Sequence, residues 1–215
     1  MEREDVWKGI DQQRHDLVDL LEDLSDQEWQ HPSLCQGWTV RQVAAHVALQ
    51  NTTWAMYPRA VWDSIRWGGL NGGIHAAACR HAQHSTQEII DEIRDRIGVW
   101  KSLPAVDYRE SAIDYLVHTQ DIAIPLARRV RMPTDVATVA AERVWTTPRM
   151  FHARKKLAGY RLVATDTRWT AGDGQEVTGP ISALLLLLTG RPAALAHLSG
   201  PGAATLHPPT SNAPA

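Results

Sequence analysis

The stretch IDYLVHTQDIAIPL, residues 113–126, sets Asp114, His118 and Asp121 into an otherwise apolar helical run. A helix turns about 100° per residue, so spacings of four and three put all three in one narrow sector. Leu116, Val117, Ile122 and Ile124 cover much of the remaining surface. A carboxylate buried without a partner is very costly, so each must be paired, protonated or bound to a cation. Asp114 and His118, at i and i+4, form a two-point chelate whose third ligand must come from elsewhere. His46, in VAAHVAL, lies between Val43 and Val47 on the inward side of another predicted helix. Two imidazoles and one carboxylate leave coordination positions open for water or substrate, the catalytic rather than the closed structural arrangement. Asp121 could accept a hydrogen bond from a ligand imidazole, cap a helix or pair with an arginine. The same spacing also serves a plain i, i+4 ion pair or a hydrogen-bonded core histidine, and spacing alone leaves that reading standing.

Other reactive side chains lack such a pattern. His81 and His84, three apart near a helix start, read as surface residues. Cys35 and Cys79 form no CxxC pair and have no nearby signature; they read as buried structural thiols in a reducing cytoplasm. No serine nucleophile elbow, paired-glutamate arrangement or dinucleotide fingerprint occurs. WGGLNGGIHAAA lacks the Lys-Ser/Thr ending of a phosphate-binding loop and follows no strand, so it reads as a loop or broken helix.

The elements that must position these residues follow from periodicity and punctuation. Val6, Ile10, Leu17, Leu20, Leu21 and Leu24 recur at helical spacing over 5–24. Thr39 with Gln42, and Ser85 with Glu88, match capping boxes that open helices, the second running towards Pro104. Asp107 and Glu110 open the helix carrying Asp114 and His118, which Pro125 kinks or ends. Residues 135–146 form a further helix. After about residue 157 the texture turns β-like, with Leu162–Thr165, Trp169–Thr170, a Gly-Asp-Gly turn and Val177–Thr178. Gly179-Pro180 starts the helix ISALLLLLT, Gly190 stops it, and RPAALAHLSG is a second short helical piece. The expected fold is therefore mainly α: a four-helix bundle over 1–156, a small α/β unit over 157–207 and a disordered tail over 208–215. A unit so small is expected to pack on the bundle.

The bulk composition is that of a soluble globular protein. The 215 residues carry a net charge of −2, 44% hydrophobic and 21% charged residues. No basic field is available for nucleic acid. The run ISALLLLL is far short of the about 20 residues needed to cross a bilayer. The acidic, polar N-terminus is not a signal peptide. The expectation is a cytoplasmic protein, monomer or homodimer, with no nucleic-acid or membrane partner.

Three segments resemble a known family. LCQGWTVRQVAAHVA resembles the LCxGW(T/S)VxxVxxH hallmark of the mycothiol-dependent maleylpyruvate isomerase family, whose N-terminal domain is a DinB-like metal-binding four-helix bundle. DYLVHTQDIAIPL resembles its second hallmark, an acid-x-x-x-His pair followed by Gln-Asp-Ile. GYRLVATDTRWTAGDGQEVTGPISALLLLLTGRPAAL is similar to the family's C-terminal region. The resemblance implies that His46 is the metal histidine of the first motif and that Asp114 and His118 are the acid and histidine of the second, with Asp114 standing where the isomerase has Glu. It implies a catalytic arginine from the C-terminal unit, for which Arg191 is the counterpart.

The resemblance further implies a divalent metal ion, zinc foremost with Ni, Fe, Co or Mn as alternatives, and mycothiol or a related low-molecular-weight thiol as cosubstrate. The partners are that thiol and a small-molecule electrophile, with Arg191 able to hold a substrate carboxylate; Trp38 and Trp54 either border the pocket or pack in the core. A metal-held thiolate adds to the electrophile; the outcome is S-transfer if the adduct persists and cis–trans isomerisation if it rotates and expels the thiol. A metal-dependent hydrolase and a noncatalytic metal- or ligand-binding bundle are the other readings.

Overall fold

The apolar spacing of the N-terminal segment becomes α1 (Arg3–Glu22) in the computed structural model, with Val6, Ile10, Leu17 and Leu21 buried. The structure describes residues 1–51, 62, 65–67, 69–102, 106–148 and 151–206. The expected tail over 208–215 lies outside them. The described residues group into two compact units: Trp7–Arg131, and Met1–Val6 with the residues from Met132 onward. The change of texture near residue 157 is therefore not where the contacts divide the chain. The helix over 134–146 groups with the C-terminal elements.

In the first unit, α2 (Asp26–Trp29), α3 (Val40–Ala48), α4 (Leu70–His81), α5 (Thr86–Arg94) and α6 (Tyr108–Ala123) follow α1. α3 packs against α2, α4, α5 and α6, and is the hub of the unit. Capping boxes open α2 at Ser25, α3 at Thr39 and α5 at Ser85, each satisfying two otherwise free backbone donors. α3 ends at Ala48 and continues as a 3-10 turn, Leu49–Asn51.

Of the two readings of the Gly-rich segment, the broken helix holds: a turn at Trp67 and a bend at Gly69 give way to helix from Leu70. Gly72 makes this possible, because a Cβ there would meet the Trp67 carbonyl oxygen at 1.9 Å. α5 stops at Arg94 rather than running towards Pro104, and Gly98 follows in the left-handed conformation.

Arg14 closes the unit on one side. Its guanidinium has no exposed surface; Nη1 donates to Asp11 Oδ1 (2.8 Å), Arg96 O (2.6 Å) and Val99 O (3.2 Å). It lies 4.7 Å from the Tyr115 ring centroid and 5.6 Å from that of Trp7. The charge thus ties α1 to the chain after α5 and to α6.

The second unit holds α7 (Thr134–Thr146), α8 (Ala153–Lys156), β1 (Gly159–Ala164), β2 (Thr170–Ala171), β3 (Gly174–Gly179) and α9 (Ile181–Leu188). Its sheet has the order β2-β1-β3, with β2 antiparallel and β3 parallel to β1. The Gly-Asp-Gly turn therefore carries the chain across the start of β1. Only glycine serves at Gly172 and Gly174: both have positive φ, and added Cβ atoms would meet Tyr160 O at 2.4 Å and Gly159 O at 2.0 Å. Leu162 and Val177 are paired and fully buried, and α9 packs on β1 and α7. Residues 198–202 protect the β3 edge through Thr178–Ser199 pairing and Gly202 N–H to Glu176 O. Pro192–His197 forms the expected short helical piece, as a 3-10 helix.

Two predictions concern the fold. Arg14→Ala removes a buried, paired cation and should destabilise the first unit by about 3–5 kcal/mol in urea unfolding. The second concerns α2. The Ser25 backbone N–H, the Ser25 hydroxyl and the Arg128 guanidinium lower the Glu28 pKa from 4.5 to about 2. A depressed folded pKa stabilises above the unfolded value and is lost as pH falls through the folded one. The contribution should therefore be intact above about pH 4.5 and vanish towards pH 2. Ser25→Ala should raise the Glu28 pKa, as read by NMR titration of its side chain.

Candidate metal centre

The centre sits where α3 meets α6. The Thr39–Gln42 capping box fixes the start of α3: Gln42 N–H donates to Thr39 Oγ1 (3.3 Å) and Thr39 N–H to Gln42 Oε1 (2.8 Å). His46 follows in the last turn, flanked by the fully buried Val43 and Val47. Asp107 caps α6, and nearly every side chain from Ser111 to Ala123 is buried. Asp114, His118 and Asp121 fall on one face, as their spacing predicts.

His46, Asp114 and His118 converge, each offering a ligand atom within 4.8 Å of the others. His118 Nε2 is 3.3 Å from Asp114 Oδ1, and His46 Nε2 is 3.7 Å from the same oxygen. The two imidazole centroids are 4.9 Å apart, nearly perpendicular. These separations are longer than a charge-assisted hydrogen bond of about 2.7–2.9 Å. They suit two ligands of one tetrahedral ion, which lie about 3.4 Å apart when each metal bond is near 2.1 Å. Donor types and spacing therefore fit a divalent cation, and the shorter Asp114 reaches both nitrogens.

Asp121 supports this arrangement. His118 Nδ1 lies 2.9 Å from Asp121 Oδ2, which leaves Nε2 to face Asp114. A carboxylate on the second nitrogen fixes the tautomer and orientation of a ligand imidazole. Asp121 has no exposed surface and also accepts from Cys35 Sγ (3.1 Å). Cys35 is buried, as expected of it, but its neighbours were not foreseen. The loop bearing it is pinned to α6 by Leu34 N–H to Asp121 O (3.0 Å) and closed on itself by Ser33 N–H to Trp38 O (2.9 Å).

Cys35, His118 and Asp121 are themselves a second grouping able to hold a metal. It would use His118 Nδ1, the nitrogen that already faces Asp121, whereas the first grouping uses Nε2.

Gln50 is a further residue that motif reading missed. Its amide donates to Asp114 Oδ2, leaving Oδ1 to face the imidazoles. The signal was there: Gln50 lies four residues after His46, on the same side of the α3 extension. Trp38 is buried, its ring edge-on to His46 at 5.8 Å and 5.0 Å from His75. Trp54 lies outside the described residues.

The electrostatics favour a cation. Burial pushes the Asp114 carboxyl up, but the imidazoles of His118 and His46 outweigh it and hold it far below the usual carboxylate range. Burial opposes charge on His118, yet Asp114, Asp121 and Cys35 together raise its pKa well above the ordinary imidazole value. Arg191, in the other unit, is buried; its Nη1 donates to Thr189 O (2.7 Å).

Two solved structures share the fold. The crystal structure of the mycothiol-dependent maleylpyruvate isomerase in a histidine-to-alanine mutant has a TM-score of 0.67 at 12% identity, covering 97% of each chain. A crystal structure of the mycothiol-dependent maleylpyruvate isomerase has a TM-score of 0.59 at 13% identity, again over 97% of each chain. No curated protein sequence matches the chain. Residues 10–123, a span containing His46, Asp114, His118 and Asp121, match the family described as the Mycothiol maleylpyruvate isomerase N-terminal domain. With more than half of its length matched, the chain belongs to the mycothiol maleylpyruvate isomerase N-terminal domain family.

Proposed function

We propose that the protein is a divalent-metal-dependent enzyme using mycothiol or a related small thiol as nucleophile. The reaction is isomerisation about a double bond of a small electrophile, or S-transfer to it. The observation that carries this reading is the convergence of His46 Nε2, Asp114 Oδ1 and His118 Nε2. Three protein ligands leave part of a coordination sphere for an exogenous group. Family membership supports the thiol and the isomerase chemistry.

A divalent cation of the zinc class, bound there, stabilises a thiolate at neutral pH and so supplies the nucleophile. The chain's own residues prepare that event. His46 and His118 present nitrogen lone pairs, and Asp114 supplies the negative charge and a hard oxygen. Asp121 retains the Nδ1 proton of His118 and so keeps Nε2 directed at the centre. Gln50 holds Asp114 through Oδ2. Neither Cys35 nor Cys79 is needed as nucleophile, because sulfur arrives with the cosubstrate. Neither Cys35 nor Cys79 is in a disulfide, which accords with a reducing, cytoplasmic setting. Among the described residues no helix is long and apolar enough to cross a membrane.

The test uses metallated protein, mycothiol and a panel of electrophiles that includes maleylpyruvate, read by mass spectrometry and chromatography. Thiol-dependent isomerisation or thioether products are expected. Products carrying added water, formed without thiol, would overturn the thiol reading in favour of a hydrolase.

The metal assignment makes two predictions of its own. His46→Ala and His118→Ala should lose the metal bound at this centre while keeping the wild-type circular dichroism spectrum. Equal occupancy of the centre in wild type and variants would refute it. Asp121→Asn should weaken metal binding by about 10–100-fold, as measured by chelator competition, because the imidazole loses its anionic acceptor.

A further inference from the structure

We propose that His81, His84 and Glu92 form a second divalent-cation site, of the zinc class, at the turn joining α4 to α5. It shares no residue with the first centre and lies wholly within the first unit. The three side chains offer ligand atoms within 4.8 Å of one another. The donor set is again two imidazoles and one carboxylate, which suits zinc and its neighbours rather than calcium or magnesium.

The carboxylate lies between the two rings. Glu92 Oε2 is in hydrogen-bond contact with His81 Nε2, and Glu92 Oε1 is 3.8 Å from His84 Nδ1. The second gap is too long for a hydrogen bond. It exceeds by a few tenths of an ångström the about 3.3–3.6 Å that separates two ligands of one tetrahedral ion at bond lengths near 2.0–2.2 Å, a gap that a small turn of the half-exposed His84 ring closes. The imidazole rings are held 4.4 Å apart at 38°. Rings this close set two imidazoles beside one carboxylate, a donor set that a single cation can share.

The backbone beneath the cluster is fixed before any ion arrives. Arg41 of α3 donates through Nε to Ala82 O (2.7 Å) and through Nη2 to His84 O, clamping the turn. The Ser85–Glu88 capping box then sets the start of α5, with Ser85 N–H to Glu88 Oε2 at 2.7 Å. The Ser85 hydroxyl and backbone N–H hold the Glu88 carboxyl below its usual range, with His84 and His81 adding smaller contributions. It therefore adds negative charge beside the cluster while its oxygen serves the cap. Side-chain exposure grades from 14% at His81 through 31% at Glu92 to 48% at His84. The inner ligand is enclosed, and water can complete the sphere on the His84 side. A bound ion would cross-link α4 to α5, two helices that both pack on α3.

The experiment separates the two sites. In full-length His46→Ala/His118→Ala protein, Zn²⁺ should still bind with one-to-one stoichiometry in isothermal titration and raise the melting temperature. Adding His81→Ala and His84→Ala should abolish both effects. In otherwise wild-type protein, His81→Ala/His84→Ala should remove one of two bound equivalents. Glu92→Gln, which keeps side-chain volume and a hydrogen-bonding partner for His81, should weaken the second equivalent by about tenfold or more. This milder variant keeps the test readable if the multiple variant does not fold. The proposal is overturned if the His46→Ala/His118→Ala protein binds no Zn²⁺, or if replacing His81, His84 and Glu92 leaves its binding unchanged. Failure at the first centre alone would leave wild type with one equivalent that depends on His81 and His84.

Discussion

A carboxylate with no exposed surface constrains everything around it, and Asp121 is such a carboxylate. Its charge is tolerable only when hydrogen-bonded. His118 Nδ1 and the Cys35 thiol both meet Oδ2, and the Asp121 carbonyl receives Leu34 N–H. The first contact orients an imidazole on the same helix. The others hold the loop that runs directly into the Thr39 cap of α3. One buried acid therefore orders both sides of the centre: His118 directly, and His46 through the loop that starts its helix.

The charge arrangement has the same origin. Two carboxylates, Asp114 and Asp121, flank one imidazole, and a second imidazole faces Asp114 from α3. Such a cluster needs positive charge. Without a metal it is met by a proton on His118, whose pKa is raised for this reason. A divalent ion can meet it from the Nε2 side without disturbing the Asp121 contact, because the two nitrogens of His118 serve different partners. The second grouping, through Cys35, would instead break that hydrogen bond and desolvate a new charge, so the Nε2 side is the less costly position.

Much of this was legible in the sequence, for a definite reason. His46, Asp114 and His118 belong to strongly periodic segments, and periodicity states which side chains share a face. The boxes at Thr39 and Ser85 were legible because capping is local chemistry. What periodicity does not state is which surface covers an apolar face. Ala137, Ala140, Ala141 and Val144 of α7 are buried, and α9 packs on that helix. The β-like texture near 157 therefore did not coincide with the division of contacts near 131. The same limit hid Cys35, whose partner is 86 residues away. It also hid the parallel pairing of β1 with β3, which depends on a crossing made possible by Gly172 and Gly174.

Asp114 shows how a short acid can still reach two imidazoles held on different helices. Asp114 has one methylene fewer than glutamate, so it has fewer rotamers to lose and a shorter reach. Its position on α6 still brings Oδ1 to 3.3 and 3.7 Å from the two Nε2 atoms. Gln50 occupies Oδ2 and so favours ligation through one oxygen. His46 and Gln50 come from the same helix and its 3-10 extension, four residues apart. α3 thus supplies both a ligand and the group that steers the ligand opposite. A carboxylate steered in this way keeps a single oxygen towards the centre, which leaves more of a cation's coordination sphere to a group arriving from solvent.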